Sequence, residues 1–333
     1  MTSLGERAYA YAKACGIIGK SFVGKRIANL EKASGLSELD RMIFPDSFAN
    51  LLERDLLFNL EKRIEERTAN SILAIVNSFS KPPKFLVLLL RAYEYADLKN
   101  AAISIIEKEE RPPPHTDLGR FSTVNFAAWP DLNKMVERTE YTFLLSVRKN
   151  NPDKQSEITA LESALDRHYY HDLWDSLHSV PAHERIFSQR LLADEISLKN
   201  CSLALRLRRY YNMRPEEVKP HIVDIRSHSA IQSLEYPLDS IGDWSKWRWK
   251  EFLNPEVPGV HWRLDPRYFQ NAASFHLYNI ARHHFYLAPS SVNSIFCFIK
   301  MKQFEEDLLT GAAEGLSIGM NTSDVFSTLG VRA

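Results

Sequence analysis

Five ionisable side chains gather in one stretch of the chain and could bind a divalent metal ion. They are His168, His171, Asp172, His178 and His183. His168 and His171 stand three positions apart in a predicted helix, so they share a face, and imidazole and carboxylate groups are common metal ligands. Asp172 follows His171 directly and therefore points to another side of the helix. Because no further ligands stand out elsewhere, we favour histidines that pack against neighbours or face solvent.

Two other motifs contain residue types that could bind phosphate or a metal ion, but their spacing and predicted secondary structure argue against these functions. The segment Gly16–Ser21 reads Gly-x-x-Gly-Lys-Ser, but a phosphate-binding loop needs four residues between its glycines and a preceding strand. His283 and His284 are neighbours in a predicted helix and point apart. We therefore predict no catalytic residue, no cofactor-binding residue and no metal ligand in this chain.

A short motif occurs twice, a hundred positions apart. Leu98-Lys99-Asn100 recurs as Leu198-Lys199-Asn200, behind carboxylates at Glu94 and Glu195, and a weaker third copy covers 305–310. This period exceeds the roughly 20–50 residues of solenoid repeats, so it predicts three similar small domains instead. We expect the helices that carry the copies to occupy equivalent places, with the leucines of the motif buried.

The copies of the motif contain paired acids, Asp194–Glu195 and Glu305–Glu306. Such pairs could in principle act as acid–base catalysts. A repeated acid is explained more simply by a repeated structural contact. We therefore predict that these carboxylates bind a lysine or arginine of a neighbouring helix.

Apolar residues that return every three or four positions, and only 12 glycines among 333 residues, predict an almost entirely helical protein. The sequence shows almost no alternating pattern of the kind that marks strands. The predicted helices are Arg7–Ala28, Phe48–Ile75, Lys84–Lys108, Glu157–His178, Ala182–Tyr211, Tyr268–Phe285 and Ser291–Ala313.

Prolines suggest where the helical blocks end. Residues 112–114 are all proline, and a second boundary is expected near Pro220, because proline cannot continue a helix. We therefore expect domains at 1–113, 114–220 and 221–333. The tryptophan-rich segment 244–262 is predicted to be irregular and packed by its aromatic rings, and the tail from Ser317 to be loose.

Composition excludes several classes of protein. Basic and acidic residues number 42 each, and this zero net charge argues against a general nucleic-acid binder. Cys15, Cys201 and Cys297 are too sparse for a disulfide framework, which favours a reducing compartment. No apolar run approaches the ~20 residues of a membrane span, and the N-terminus lacks the core of a signal peptide.

Segments spread along the chain resemble the C-type connector of bacterial and archaeal V/A-type rotary ATPases, which is known as the d component in the vacuolar enzyme. The matching segments, in family order, are 7–13, 88–100, 166–170, 194–200 with 205–206, and 298–308. The first long match ends in Leu-Lys-Asn at 98–100, where the family has Asn-Leu-Lys. The chain also departs from the family pattern in the proline linker at 111–114 and in the tryptophan-rich segment.

The resemblance implies an all-α fold of three similar helical domains arranged with pseudo-threefold symmetry as a funnel. It implies a non-catalytic connector that seats the central shaft, subunits D and F, on the proteolipid rotor ring and transmits torque. Such a connector is cytoplasmic and peripheral to the membrane. Two alternatives stay open at this point. One is a helical metal-dependent phosphohydrolase that uses His168, His171 and Asp172, and the other is a generic helical adaptor.

Overall fold

The regular structure of this protein is α-helical. A computed structural model describes residues 3–46, 52–149 and 153–328, and these ranges contain no β-strand. The α-helices are α1 Leu4–Ile18, α2 Ile27–Leu30, α3 Leu36–Ile43, α4 Glu53–Val76, α5 Lys84–Leu90, α6 Ala92–Glu107, α7 Leu132–Met135, α8 Leu144–Lys149, α9 Lys154–Asp175, α10 Ala182–Tyr210, α11 Pro215–Val218, α12 His228–Ser233, α13 Pro266–Leu287, α14 Val292–Ser317 and α15 Thr322–Thr328. The predicted all-α class is confirmed. Within the described ranges, no helix is long and apolar enough to cross a bilayer.

Prolines separate the long helices into three helix–turn–helix units. Pro82-Pro83 lies between α4 and the α5–α6 pair, Pro181 between α9 and α10, and Pro289 between α13 and α14. Pro83 and Pro181 occupy the N-cap positions of α5 and α10. Pro289 lies two residues after the end of α13 and lacks the N–H that a further helical hydrogen bond would require. Side chains then start the following helix in some cases, as where the Ser291 hydroxyl accepts the Ser294 N–H at the start of α14.

The long helices pack in an order that closes on itself. The second arm of one unit lies against the first arm of another, so that α6 packs on α9, α10 on α13 and α14 on α4. The last long helix of the chain therefore contacts the first. The helices that carry the three copies of the motif, α6, α10 and α14, hold corresponding positions in these contacts.

Two apolar clusters form the core. The larger cluster takes residues from every α-helix except α11 and α12, including Leu98 and Leu308, which are 0% and 1% exposed. Leu198, 1% exposed, belongs to a second cluster that packs α10 and α13 around the tryptophan-rich segment. The predicted burial of these leucines is confirmed. The asparagines of the motif differ, because Asn200 is buried whereas Asn100 is exposed.

The tryptophan-rich segment is irregular and packed by its rings, as predicted. Trp244, Trp247, Trp249 and Trp262 are all buried. Each indole N–H has an acceptor: the carbonyls of Pro237, Ser229 and Asn254 for Trp244, Trp247 and Trp262, and the Ser197 hydroxyl for Trp249. These bonds satisfy the one polar atom of each ring, so that the rest can pack against α10 and α13.

Two predicted elements near the termini were wrong. The helix Arg7–Ala28 instead ends at Ile18, where Gly19 caps α1 and Gly24 adopts a φ of +64°, which a helix cannot contain. Part of the tail from Ser317, predicted loose, forms α15, and Phe326 in this helix is fully buried, whereas residues 329–333 lie outside the described ranges. The helix predicted over Phe48–Ile75 begins at Glu53, and residues 47–51 lie outside the described ranges.

Candidate functional site

The long helices meet around a polar cavity. Its volume is about 380 Å³, and α4, α6, α9, α10, α13 and α14 all contribute to its wall. Its lining residues are Glu65, Ala92, Tyr93, Ala96, Tyr169, Glu195, Lys199, Ser274, Leu277, Tyr278, Lys300, Gln303, Phe304, Glu306 and Asp307. All three helices that carry the motif therefore place side chains in one space, although the copies are a hundred residues apart in the chain.

A wider cavity of about 830 Å³ adjoins the first one. The two share the lining residues Ser274, Phe304, Glu306 and Asp307. The wider cavity is bounded mainly by α10, α13 and the C-terminal half of α14. The structure thus has a narrow polar space that continues into a broader one.

A buried ion pair crosses the narrow cavity between two helices. The Lys300 ammonium on α14 lies 2.8 Å from Glu195 Oε1 on α10 and donates a second hydrogen bond of 2.8 Å to Gln303. Burial lowers the pKa of Lys300, and the attraction of Glu195 opposes that shift. The other oxygen, Glu195 Oε2, is buried and has no hydrogen-bond partner. The prediction that this repeated acid binds a lysine of a neighbouring helix is confirmed.

The acidic pair on α14 faces in two directions. Glu305 accepts the Phe22 N–H at 2.7 Å and pairs with Lys302 and, at 3.5 Å, with Arg67 of α4. Burial opposes ionisation of Glu305, but the two cations outweigh it and hold its pKa below the ordinary value. Glu305 therefore joins α14 to α4, which confirms the prediction for this acid as well.

Glu306 points into the cavity. The Tyr93 hydroxyl donates a 2.7 Å hydrogen bond to its Oε2. Burial raises the pKa of Glu306 to about 8, and the bond from Tyr93 only partly offsets that effect. The surrounding helices also partly screen the neighbouring Asp307 from bulk water, and this raises its pKa to about 6. The wall therefore contains acids that change protonation near neutral pH.

Buried polar groups on the repeat helices also hold other segments of the chain. Asp97 of α6 accepts the Thr116 N–H at 2.7 Å, which fixes the chain just after the prolines. Asn200 of α10 accepts the Val223 N–H at 3.0 Å and donates to the Val223 carbonyl at 2.8 Å. The bond between Glu305 and the Phe22 N–H is the counterpart on α14. These contacts fix three segments between helices against α6, α10 and α14.

A network of hydrogen bonds around Glu94 also fixes a following segment of the chain against α6. Glu94 accepts the main-chain N–H groups of Thr123 and Val124 at 2.5 and 3.2 Å. Arg91 bonds the same carboxylate, and the Tyr141 hydroxyl donates to it at 2.9 Å. Because all of these donors converge on one carboxylate, Glu94 acts as a structural anchor and leaves no free acid for chemistry.

The candidate metal ligands have separate partners. His168 Nδ1 lies 2.7 Å from the Tyr95 hydroxyl, and its ring stacks on Phe143. His171 Nε2 lies 2.7 Å from an oxygen of Asp224. Asp172 is 4.0 Å from His168, on the same helix. His178 bonds the Asp175 carbonyl, and His183 is largely exposed beside Glu184. Among the described residues, no group of three or more His, Cys, Asp or Glu side chains is placed to hold a metal ion.

The remaining motifs have structural places. Gly16 lies inside α1, and the Ser21 hydroxyl donates to the Ile17 carbonyl just beyond that helix. His284 stacks on Phe187 with ring centroids 3.4 Å apart, whereas His283 is exposed. Neither motif lies at the cavity.

Sequence reasoning assigned no role to several residues of the wall. Tyr93, Tyr169 and Tyr278 were overlooked because a tyrosine in an amphipathic helix is ordinary. Lys300 had a usable signal, since it is a single charge within the otherwise apolar run 295–301. A charge in such a run is costly unless it is paired, so it points to a buried partner.

The fold and the cavity define an all-α protein whose helix–turn–helix units surround a polar space. This chain belongs to the family of ATP synthase (C/AC39) subunits, whose family model matches residues 17–325. It is 27% identical over 323 residues to an uncharacterized protein of Treponema pallidum, with 93% of this chain and 92% of that one covered. It is 21% identical over 317 residues to the C-type component of the A-type ATP synthase of Methanosphaera stadtmanae, with 89% and 80% covered. The resemblance found in the sequence is thereby confirmed.

Proposed function

We propose that this chain is the central-stalk connector of a V/A-type rotary ATPase. In this role it seats the shaft, formed by subunits D and F, on the proteolipid rotor ring and transmits torque between them. Membership of the ATP synthase (C/AC39) subunit family supports an accessory role in such a complex. The observation that carries the proposal is that α4, α6, α9, α10, α13 and α14 all line one cavity, which offers an opening for a shaft.

A part that transmits torque must resist deformation. The contact of α14 with α4 joins the last long helix to the first, and the pair of Arg67 with Glu305 lies across that contact. The pair of Lys300 with Glu195 joins α14 to α10. Buried pairs are costly to break one partner at a time, typically by about 3–5 kcal/mol. We also propose that the chain forms three similar domains, 1–113, 114–220 and 221–333, and that these domains are arranged as a funnel with pseudo-threefold symmetry.

The proposed role requires no reaction at this chain. Its most suggestive histidines, His168 and His171, already bond Tyr95 and Asp224, which favours a structural role for them over a hydrolytic one. The chain would reach the membrane through the rotor ring, as a peripheral part of the complex.

A binding experiment with purified components tests the proposal. The full chain is mixed with the D–F shaft complex and with detergent-solubilised rotor rings of the same organism, and assembly is followed by size-exclusion chromatography with mass determination. We expect a ternary complex that contains shaft, chain and ring. A chain that binds neither partner would contradict the proposal, and a chain that binds only one would favour a generic adaptor.

A further inference from the structure

The turns of the three helix–turn–helix units meet at one end of the molecule. The Phe85 N–H, just after the turn between α4 and α5, donates to the Ser179 hydroxyl in the turn between α9 and α10 at 3.0 Å. Glu184, at the start of α10, accepts the Val292 N–H at the start of α14 at 2.7 Å. The second turn is therefore bonded to both of the others.

The first residues of α1 join the same end. Arg7 pairs with Glu184 at 3.1 Å, and Glu6 accepts the Ser80 N–H at 2.8 Å. The three turns and the start of α1 thus form one continuous surface. We call it the turn end, and it comprises residues 3–9, 77–87, 175–187 and 282–293.

The turn end exposes large apolar side chains. They are 57–67% exposed and adjoin the places where α1 and α10 pack on the end of α13, as ring contacts of Tyr11 with Phe285 and of Phe187 with His284 show. Grouped apolar side chains in water are unfavourable and mark a surface that contacts a partner or a membrane. The exposed residues are Leu4, Ile186, Tyr286 and Leu287.

Cations predominate at the turn end, although the whole chain has no net charge. Lys81, Lys84 and Arg282 are exposed and form no ion pair or hydrogen bond within the described part of the chain. Arg120 also reaches this end, because its guanidinium donates to the Phe79 carbonyl at 3.0 Å. The cations are Arg7, Lys81, Lys84, Arg120, Arg185 and Arg282.

Fewer acids lie here, and most of them already have donors. Glu184 is buried and is neutralised by Arg7. Glu6 and Asp117 each accept a main-chain N–H group, and Asp175 is exposed. Positive charge therefore remains in excess at the turn end.

Exposed cations beside aliphatic and aromatic side chains suit the surface of an anionic bilayer. Lysine and arginine attract lipid phosphates, tyrosine lies at the level of the headgroups, and leucine and isoleucine reach the acyl boundary. The free cations are spread over two separate turns. A bilayer presents phosphates wherever the cations lie, whereas a protein partner would need acids at matching positions.

We propose that the turn end contacts an anionic phospholipid bilayer directly. Lys81, Lys84 and Arg282 bind lipid phosphates, and the four exposed apolar side chains insert among the headgroups. Because α14 begins at the turn end and its C-terminal half bounds the wider cavity, this contact leaves that cavity free. The inference goes beyond the proposed function, in which the chain reaches the membrane only through the rotor ring.

Flotation of the purified full chain with vesicles tests the contact. We expect binding to vesicles of equal parts phosphatidylglycerol and phosphatidylcholine, weaker binding as salt increases, and at least about fivefold less binding to phosphatidylcholine alone. Lys81→Gln with Lys84→Gln should lower the affinity for the anionic vesicles at least about tenfold. The matched control, Lys246→Gln with Lys250→Gln, removes two exposed charges outside the turn end and should leave the affinity unchanged.

Apolar variants give a separate signal. Leu4→Ser with Leu287→Ser should weaken binding to the anionic vesicles without changing its salt dependence. The control here is Val257→Ser with Val260→Ser, at valines that are also exposed but lie outside the turn end, and it should bind as the unmodified chain does. All of these side chains are exposed, and thermal melting shows that each variant is folded.

The outcomes separate this inference from the proposed function. If the chain does not bind anionic vesicles, binds neutral ones equally well, or binds alike in the turn-end and control variants, the lipid contact is overturned. If such a chain still forms a complex with shaft and ring, the turn end serves a protein partner and the connector role stands. If the vesicle results are as expected but neither shaft nor ring binds, the lipid contact stands and the proposed function fails.

Discussion

At the residue scale, Glu306 is a carboxyl group that titrates far from its ordinary range. The charged and titratable groups that face it are Glu65 from α4, Tyr93 from α6, and Lys302 and Asp307 from its own helix. Burial raises its pKa from 4.5 to about 8, so the folded protein binds a proton there that the unfolded chain has already lost. The contribution of this group to the free energy of unfolding must therefore fall as the pH rises from about 4.5 to about 8.

Replacement of this acid by its amide should remove part of that pH dependence. We expect Glu306→Gln to match the unmodified chain near pH 5 and to be more stable by roughly 1–2 kcal/mol above pH 8. Urea unfolding at several pH values measures the difference. Glu110→Gln, at an exposed acid outside the cavity, is the control and should leave the profile unchanged. A stability difference that is constant across pH would contradict the assignment.

Leu198 tests the repeat at the level of one side chain. It is 1% exposed and packs in the cluster of the tryptophan-rich segment, so Leu198→Ala should lower the free energy of unfolding by about 2–5 kcal/mol. Leu287→Ala, at a leucine that is 64% exposed, should cost no more than about 0.5 kcal/mol. Chemical denaturation of both variants makes the comparison, and equal losses would show that Leu198 is not a core residue.

At the element scale, the close approach of α15 to α14 depends on a glycine. A Cβ built at Gly315 would lie 2.3 Å from Val325 Cγ2, which is far inside van der Waals contact. Gly315→Ala should therefore destabilise the protein by about 1–3 kcal/mol, even though alanine is the better helix former.

A double variant identifies the cause of this loss. Adding Val325→Ala removes the clashing methyl groups, so the double variant should lose less stability than the two single losses added together. Gly16→Ala is the matched control, since a Cβ there meets nothing within 4 Å and should be neutral or stabilising. Strictly additive losses in thermal or urea unfolding would rule out the contact between α14 and α15.

The sequence predicted best those helices whose positions depend on residues nearby in the chain. Periodic apolar residues and prolines predicted α4, α9, α10, α13 and α14 within a few residues of their observed ends. The apolar pattern mispredicted the helix Arg7–Ala28, because it does not show that Gly24 adopts a positive φ. It also missed α15, because that helix is held by packing against the distant α14. Equivalence of the motif copies held for the leucines but not for the asparagines, because Asn200 bonds a following segment and Asn100 faces solvent.

At the scale of the whole molecule, the cavity shows what sequence reasoning could and could not reach. The repeated acid pairs drew attention to Glu195 and Glu306. The sequence predicted that such acids bind a lysine or arginine of a neighbouring helix, but not which one. That Lys300 is this partner, and that Tyr93 bonds Glu306, depends on contacts between helices separated by 105 and 213 residues. No local pattern carries such information, since it arises only when α14 packs against the other long helices.

The whole chain, purified alone, should not hydrolyse ATP. Its described residues contain no cluster placed to hold a metal ion, and its Gly-x-x-Gly-Lys-Ser segment spans the end of α1. A coupled assay of phosphate release, with preparations of the unmodified chain and of His168→Ala and Asp172→Asn variants, makes the test. Turnover that purifies with the chain and disappears in either variant would favour the phosphohydrolase alternative.

The position of this chain in the intact assembly is the most direct test of the connector role. The ATP synthase complex is purified through a tag on this chain and its structure is determined by electron cryomicroscopy. We expect one copy between the shaft and the rotor ring, with the end of the shaft in the cavity lined by α6, α10 and α14. A copy located elsewhere in the complex, or a shaft that contacts the ring without this chain between them, would contradict the account.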